Sequence, residues 1–427
     1  MKTASKKVIN GWAMYDWANS VYNLVITTTF FPIYFLAVTG EHVSFLGMNF
    51  VNSALYNYSM AAAYLLVAFA SPILSSIADT RGNKKNFLRF FTIVGSLSCC
   101  ALYFFDGDHL LLGVACFILS TIGYCGGLVF YNSYLPEIAA PEDRDRISAR
   151  GFSMGYIGSV ILQLLGFGLV VLGPKMGMGK SQPVQLTFLL VGIWWFGFAQ
   201  ITFARLPKSI ATATKHTGSA FTEGFTELRK VYAQVKQLPV LKRFLRGFFF
   251  YSMGVQTVMM AATIFGGKVL KLPDEMLIVT VVIIQIVAIA GAWSMARLST
   301  RFGNLRVLIA VVIFWIGICI AGYKMQTAMH FYLLATAVGL VMGGIQSLSR
   351  STYAKLMPET EDTTSFFSYY DVTEKLSIVI GMFSFAYIDD LTEDMRNSVL
   401  ALVVFFVIGL IWIISALRKQ KQLAVEN

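Results

Sequence analysis

Three charged residues fall within one helical turn of an otherwise apolar run: Asp371, Glu374 and Lys375, in the stretch Ser365 to Gly381, SFFSYYDVTEKLSIVIG. About 20 apolar residues at roughly 1.5 Å each cover a hydrocarbon core of about 30 Å, and Thr364 to Ile388 is long enough to do so. A helix starting near Ser365 brings Lys375 about 15 Å deep, near the bilayer midplane. A charge at that depth persists only where it faces a bundle interior, a partner or a water-filled path. Asp371 and Lys375 are spaced to pair along one helix face, with Ser368 on the same stripe. Such a pair either holds two helices in register or presents an ammonium to the carboxylate of a solute, and Glu374 beside it or Asp16 from the other half of the chain are the alternative partners of Lys375.

A second polar stripe opens the chain. In GWAMYDWANSVYNLVITT, Asp16, Asn19, Asn23 and Thr27 recur on one side of a helix that is otherwise apolar. Lipid cannot satisfy these groups, so they are expected to face a bundle interior. The alternative keeps Asp16 near the membrane interface, between Trp12 and Trp17 as belt residues. Further along, Tyr156 and Gln163 share a face that can reach a cavity, as can Tyr251, Gln256 and Thr263, and then Gln346 and Ser347. Arg150 at a span end can pair with Asp79 or Glu142 as a gate, or contact lipid phosphates. Arg350 mirrors it loosely. Gly151 and Gly155 are spaced for close helix approach, and Gly343-Gly344 serve either bending or packing.

These groups need helices to position them, and the composition supplies little else. Of 427 residues 56% are hydrophobic and 13% charged, the balance of a polytopic membrane protein. The net charge of +11 does not point to nucleic acid, because the basic residues sit in gaps between apolar spans. The five cysteines lie inside those spans as packing residues and the four histidines fall in predicted loops, so no metal site or cofactor is expected. No phosphate-binding loop and no nucleophile–base pair occurs, and the expectation is a protein that is not an enzyme and is not driven by ATP.

Twelve spans can be drawn, near 11–39, 50–77, 87–105, 110–134, 148–173, 184–205, 243–268, 276–298, 307–325, 330–349, 364–388 and 397–417. The first reads as a retained span and not a leader. The pattern predicts an all-α membrane protein with a six-helix bundle over 1–205, a linker over 206–242 and a second six-helix bundle over 243–427. In the linker Phe221, Phe225, Leu228, Tyr232 and Val235 recur at helical spacing among basic residues. This predicts a helix along the membrane surface, or a tie between the halves. The N-terminus, the even-to-odd connections and the C-terminal tail carry 27 of the 34 basic residues, which predicts both termini in the cytoplasm.

Ile77–Lys85, IADTRGNKK, is matched in the second half by Leu298–Arg306, LSTRFGNLR, and Asn132–Ile138 is matched by Ser351–Glu359. IADTRGNKK resembles the loop-2/3 signature of the major facilitator superfamily, with Ser75 where that pattern has glycine and Asp79 as its acid. Trp12–Asn23, Ser148–Ser159, Gln346–Glu359 and Phe366–Lys375 resemble one branch, the vacuole-effluxer-like transporters, which include a fungal vacuolar amino acid exporter and bacterial members. The resemblance covers nearly the whole chain. It implies the facilitator fold and a secondary transporter cycling by alternating access, in a bacterial plasma membrane.

The substrate it implies is a small polar or zwitterionic organic solute, with amino acids or short peptides favoured. Asp16, Asn19, Asn23, Tyr156, Gln163, Gln256 and Lys375 are the expected binding residues, and Asp79, Arg150, Arg350, Asp371 and Glu374 the gating or coupling ones. Buried carboxylates can titrate in the working range, so protons are the expected coupling partner, and membrane lipid surrounds the rest. The rivals are a lipid-like substrate on the same fold, or a receptor or scaffold that keeps the fold without transport.

Overall fold

The computed structural model describes residues 2–208 and 220–426. Residues 209–219 of the expected linker, including His216, lie outside the described residues.

The first span is built in three parts: α1 (Lys6–Val21), a π-helical stretch Tyr22–Phe30, and α2 (Phe31–Val38). The wide turn has local causes. Thr28 and Thr29 hydroxyls both donate to the Leu24 carbonyl, at 2.8 and 3.0 Å. Pro32 brings no N–H to the turn below it, and the Tyr56 hydroxyl donates to the Thr27 carbonyl at 3.1 Å instead.

A short hairpin not anticipated by the all-α reading follows, β1 (His42–Phe45) against β2 (Met48–Val51). Leu46 and Gly47, both at positive φ, supply its two-residue turn. His42 thus sits on a strand, not in a loop.

The chain then forms α3 (Asn52–Arg81), α4 (Lys84–Ala101), α5 (Leu110–Ser133), the short α6 (Leu135–Ile138), α7 (Arg144–Leu172) and α8 (Gln182–Arg205). Gly82 at φ 59° ends α3 in the left-handed region, so the Ile77–Lys85 loop turns where its glycine stands. After α9 (Ala220–Gln237) come α10 (Pro239–Lys268), α11 (Asp274–Phe302), α12 (Asn304–Lys324), α13 (Ala328–Leu356), α14 (Thr363–Thr392) and α15 (Met395–Glu426). His330 lies in the first turn of α13.

Ten of these stretches are long and apolar enough to cross a membrane by length and composition. Two further helices of 30 residues each, α10 and α14, complete the twelve-helix layout. They pack on each other and on α15, inside the same bundle. Leu65, Leu66, Ile93, Leu97, Leu164 and Leu165 are among the many large apolar side chains left facing outward, the surface expected of a protein whose solvent is lipid. An even number of crossings brings both termini to one face, called the terminal face below.

The two helix sets meet along α3–α14, α5–α14, α7–α11 and α7–α13. Gly151 and Gly155 let α7 lie close on α1, since a Cβ at either would run into Asp16 or Ser20. The α9 helix packs on α3, α14 and α10, with Val231 and Val235 buried, so the expected surface helix bridges the α3–α14 seam.

A charged cavity between the two helix sets

A cavity of about 120 Å³ lies between the two sets. The first set contributes Asp16, Ser20, Asn23 and Thr28 from the first span, Tyr64 from α3, Tyr124, Cys125 and Asn132 from α5, and Phe152 from α7. The second contributes Tyr251 and Gln256 from α10, Gln346 and Arg350 from α13, and Tyr370, Glu374 and Lys375 from α14. The spacing of the first-span residues follows the backbone. Asp16, Ser20 and Asn23 keep an α-helical rhythm, and the next lining residue, Thr28, follows after five positions as a π-turn requires.

At one wall Lys375 lies between two carboxylates of its own helix, 3.1 Å from Asp371 and 3.3 Å from Glu374. Asp371 and Lys375 are 5% and 4% exposed, whereas Glu374 is 22% exposed. Asp371 is thus the enclosed counter-ion behind Lys375, and Glu374 is the acid that reaches the cavity. Gln256 donates to the free oxygen of Glu374 at 3.4 Å, and the Tyr64 ring centroid stands 5.9 Å from the ammonium. One lysine beside two acids leaves this wall one negative charge in excess if both acids are ionised.

At the other wall Asp16 meets not Lys375 but Arg350. Both terminal nitrogens of Arg350 lie 3.3 Å from Asp16 Oδ2, and Tyr131 donates to the same oxygen at 2.8 Å. The guanidinium is further held by the Ser148 hydroxyl at 3.0 Å, the Ser148 carbonyl at 2.9 Å and the Asn132 side-chain oxygen at 3.1 Å. Every hydrogen-bonding direction of this buried ion is used, which offsets its desolvation.

The remaining expected site residues are distributed differently. Asn19 is fully buried away from the cavity wall, and neither polar atom of its side chain has a partner among the described residues, because Ser20 takes the cavity-facing position. Thr27 is likewise turned off the wall by the π-helical register, and Thr28 replaces it. Tyr156 stands one bond behind the wall, donating to the Gln346 side-chain oxygen at 2.7 Å. Gln163 accepts from Gln285 at 2.7 Å and donates to Thr29 at 3.2 Å, so it ties α7 to α11. The side chain of Thr263 lies outside the described residues.

Arg150 is half-buried and forms no ion pair with Asp79 or Glu142 among the described residues. Asp79 is used elsewhere: it accepts from the backbone N–H groups of Thr364 and Ser365 at 3.2 and 2.8 Å and from the Ser365 hydroxyl at 2.8 Å. A carboxylate from α3 therefore caps the N-terminus of α14 across the seam, where the helix dipole favours it.

Two further latches close the terminal face, and both escaped the sequence reading. Lys84 binds Glu137 and donates to Thr363 at 2.9 Å, while Thr363 donates to Glu137 at 2.6 Å. Asp145 accepts from Lys355 at 2.6 Å, Asn304 at 2.7 Å and Ser299 at 2.7 Å. The signal for them was in the charged residues of the short loops, but the partners they meet in the second helix set are more than 150 positions away. Cross-set polar bonds thus concentrate at one end, and the terminal face is closed.

Twelve helices in two sets, with a charged cavity on the seam, define a membrane transporter of the major facilitator type. The chain belongs to the "Vacuole effluxer Atg22 like" family, whose model matches residues 4–424. It is 31% identical over 405 residues to the "Uncharacterized MFS-type transporter YxiO" of Bacillus subtilis (strain 168), covering 94% of this chain and 93% of that one. It is 26% identical over 404 residues to "Autophagy-related protein 22" of Vanderwaltozyma polyspora, covering 84% of this chain and 76% of the relative. Among solved structures, the human organic anion transporter MFSD10 superposes with a TM-score of 0.71 at 12% identity, covering 95% of this chain and 98% of that one. The transporter FucP in its outward conformation gives 0.68 at 10% identity, covering 96% and 97%. At such identities the likeness extends to the fold.

Proposed function

We propose that this protein is a secondary active transporter that moves a small polar or zwitterionic organic solute by alternating access. An amino acid or short peptide is favoured, with protons as the coupling ion. Residues 1–205 and 243–427 act as two rocking bodies joined by 206–242, and both termini lie in the cytoplasm of a bacterial plasma membrane. The observation that carries this reading is the cavity itself, which Glu374 and Lys375 of α14 line together with Arg350 of α13 and, from the first set, Asp16. A scaffold gains nothing from charges buried at that depth, whereas a solute with an ammonium and a carboxylate finds a partner for each. Four charged side chains on the cavity wall, Asp16, Arg350, Glu374 and Lys375, also disfavour a lipid-like substrate.

Purified protein in proteoliposomes, assayed by counterflow against amino acids, dipeptides, sugars and lipids, tests the reading. Saturable exchange of an amino acid or dipeptide, enhanced by an imposed proton gradient, is expected. Exchange confined to sugars or lipids, or no exchange with any class, would refute it.

A further inference from the structure

The surroundings of Arg350 have a composition that exceeds the needs of a salt bridge. Its guanidinium carbon lies 4.3 Å from the Phe152 ring centroid, 4.8 Å from Trp12 and 5.5 Å from Tyr131. Three aromatic faces and one carboxylate around a cation are the elements of an ammonium-binding cage: the rings supply quadrupole attraction and the acid supplies the charge. All four residues come from the first helix set, Trp12 and Asp16 from α1, Tyr131 from α5 and Phe152 from α7. Only the cation comes from the second set, on α13.

The cage is also assembled without reference to that cation. Trp12 and Tyr131 stack at 4.5 Å with an interplanar angle of 15°, and the Trp12 indole donates to the Tyr131 carbonyl at 3.0 Å. The Tyr131 hydroxyl fixes the Asp16 carboxylate at 2.8 Å. None of these contacts needs Arg350. If α13 withdraws as the terminal face opens, a preformed aromatic pocket with a buried negative charge is left facing the seam. Asp16 and Phe152 already line the central cavity, so a solute there has direct access.

We propose that Trp12, Tyr131, Phe152 and Asp16 form a binding site for an organic ammonium group, which Arg350 fills from within the chain in the closed state. A substrate ammonium that takes the cage competes with Arg350 and so favours opening of the terminal face. The substrate's role rests on the transport reading; the cage itself does not.

The test is made on purified Arg350→Ala protein in detergent, titrated with tetramethylammonium, methylammonium or guanidinium chloride at millimolar concentration, against sodium chloride at equal ionic strength. Tryptophan fluorescence and Tm are read together. The expected result is saturable binding with a rise in Tm for the organic cations and none for sodium. Wild-type protein, whose cage is occupied, should respond at about tenfold higher concentration or more, and Trp12→Leu in the Arg350→Ala background should weaken binding roughly tenfold, as loss of one cation–π face requires. If Arg350→Ala does not purify as a monodisperse protein, Arg350→Gln, which keeps a polar reach toward Ser148 without charge, is titrated in its place. No saturable response, or an equal response with Trp12→Leu added, overturns the cage. Counterflow by the wild-type protein separates the two ideas, since exchange without cage binding leaves transport standing, and cage binding without exchange does the reverse.

Discussion

Lys375 sits 3.1 Å from Asp371 one turn earlier on the same helix, so its enclosed counter-ion moves with it whatever the two helix sets do. The pair therefore cannot be the contact that breaks between conformations. Two ion pairs cross between the sets among the described residues, Asp145–Lys355 and Asp16–Arg350, and the one that lies on the cavity is Asp16–Arg350, which joins residues 334 positions apart. The division of labour follows: α14 carries a self-contained charge cluster exposed to the cavity through Glu374, and α13 carries two cations, Arg350 and Lys355, that pair across the seam.

Removing Lys375 alone should be costly, because Asp371 would stay buried without a cation. Lys375→Met is expected to lower stability by about 3–5 kcal/mol, the usual result of breaking one side of a buried pair. Adding Asp371→Asn should restore most of that loss, leaving Glu374 to find solvent in the cavity. Urea or thermal unfolding of the three proteins in the same detergent measures this. A double variant no more stable than Lys375→Met would show that the pair is not the local unit described here.

Asp79 should act on the conformational equilibrium more than on folding. Its contacts with the start of α14 cross the seam of the closed terminal face, and a carboxylate at a helix N-terminus contributes about 0.3–1 kcal/mol, up to about 2 when partly buried. Asp79→Ala is therefore expected to raise the labelling rate of Ser133→Cys, a position buried at this seam beside Thr364, by roughly threefold to tenfold. Unchanged labelling would mean that the cap does not hold the closed state.

Gly151 tests the packing beneath the Asp16–Arg350 pair. A Cβ there would collide with the Asp16 carboxylate and approach an Arg350 terminal nitrogen at 3.0 Å, so Gly151→Ala must displace one of the two. Overpacking of this kind costs about 1–3 kcal/mol. Gly168→Ala on the same helix, with open space around it, should cost nothing measurable, and the difference in Tm between the two variants is the readout.

The helices and their order were legible because bilayer-length apolar runs and short basic loops leave few alternatives, and Gly82 marked a turn the structure makes. The α14 charge cluster was legible for the same reason: charges in an apolar span stand out. What the sequence did not show is which way a stripe faces once the backbone changes pitch. The π-helical stretch replaces Thr27 by Thr28 at the wall, and Ser20 takes the place expected of Asn19. Pairings across the seam were also hidden. Asp16 lay within reach of several cations, and only the docked helices select Arg350 over Lys375, just as they give Asp79 the N-terminus of α14 in preference to Arg150.

The proposed orientation rests on the basic asymmetry of the loops and can be tested on single positions. Ser5 and Glu393, both exposed, fall on opposite faces. In protein whose native cysteines are replaced by serine, a membrane-impermeant thiol reagent added outside intact cells should label Glu393→Cys and spare Ser5→Cys. Labelling of position 5 from outside would invert the topology.

The most direct test of the central claim, that the α14 cluster is part of the transport site and not only structural ballast, is counterflow by the Lys375→Met/Asp371→Asn protein in proteoliposomes. The double variant is expected to fold and to lose solute exchange, because the cavity keeps its shape but no longer presents an ammonium to the solute's carboxylate. Exchange at the wild-type rate by that folded variant would contradict the account and leave Lys375 a structural charge.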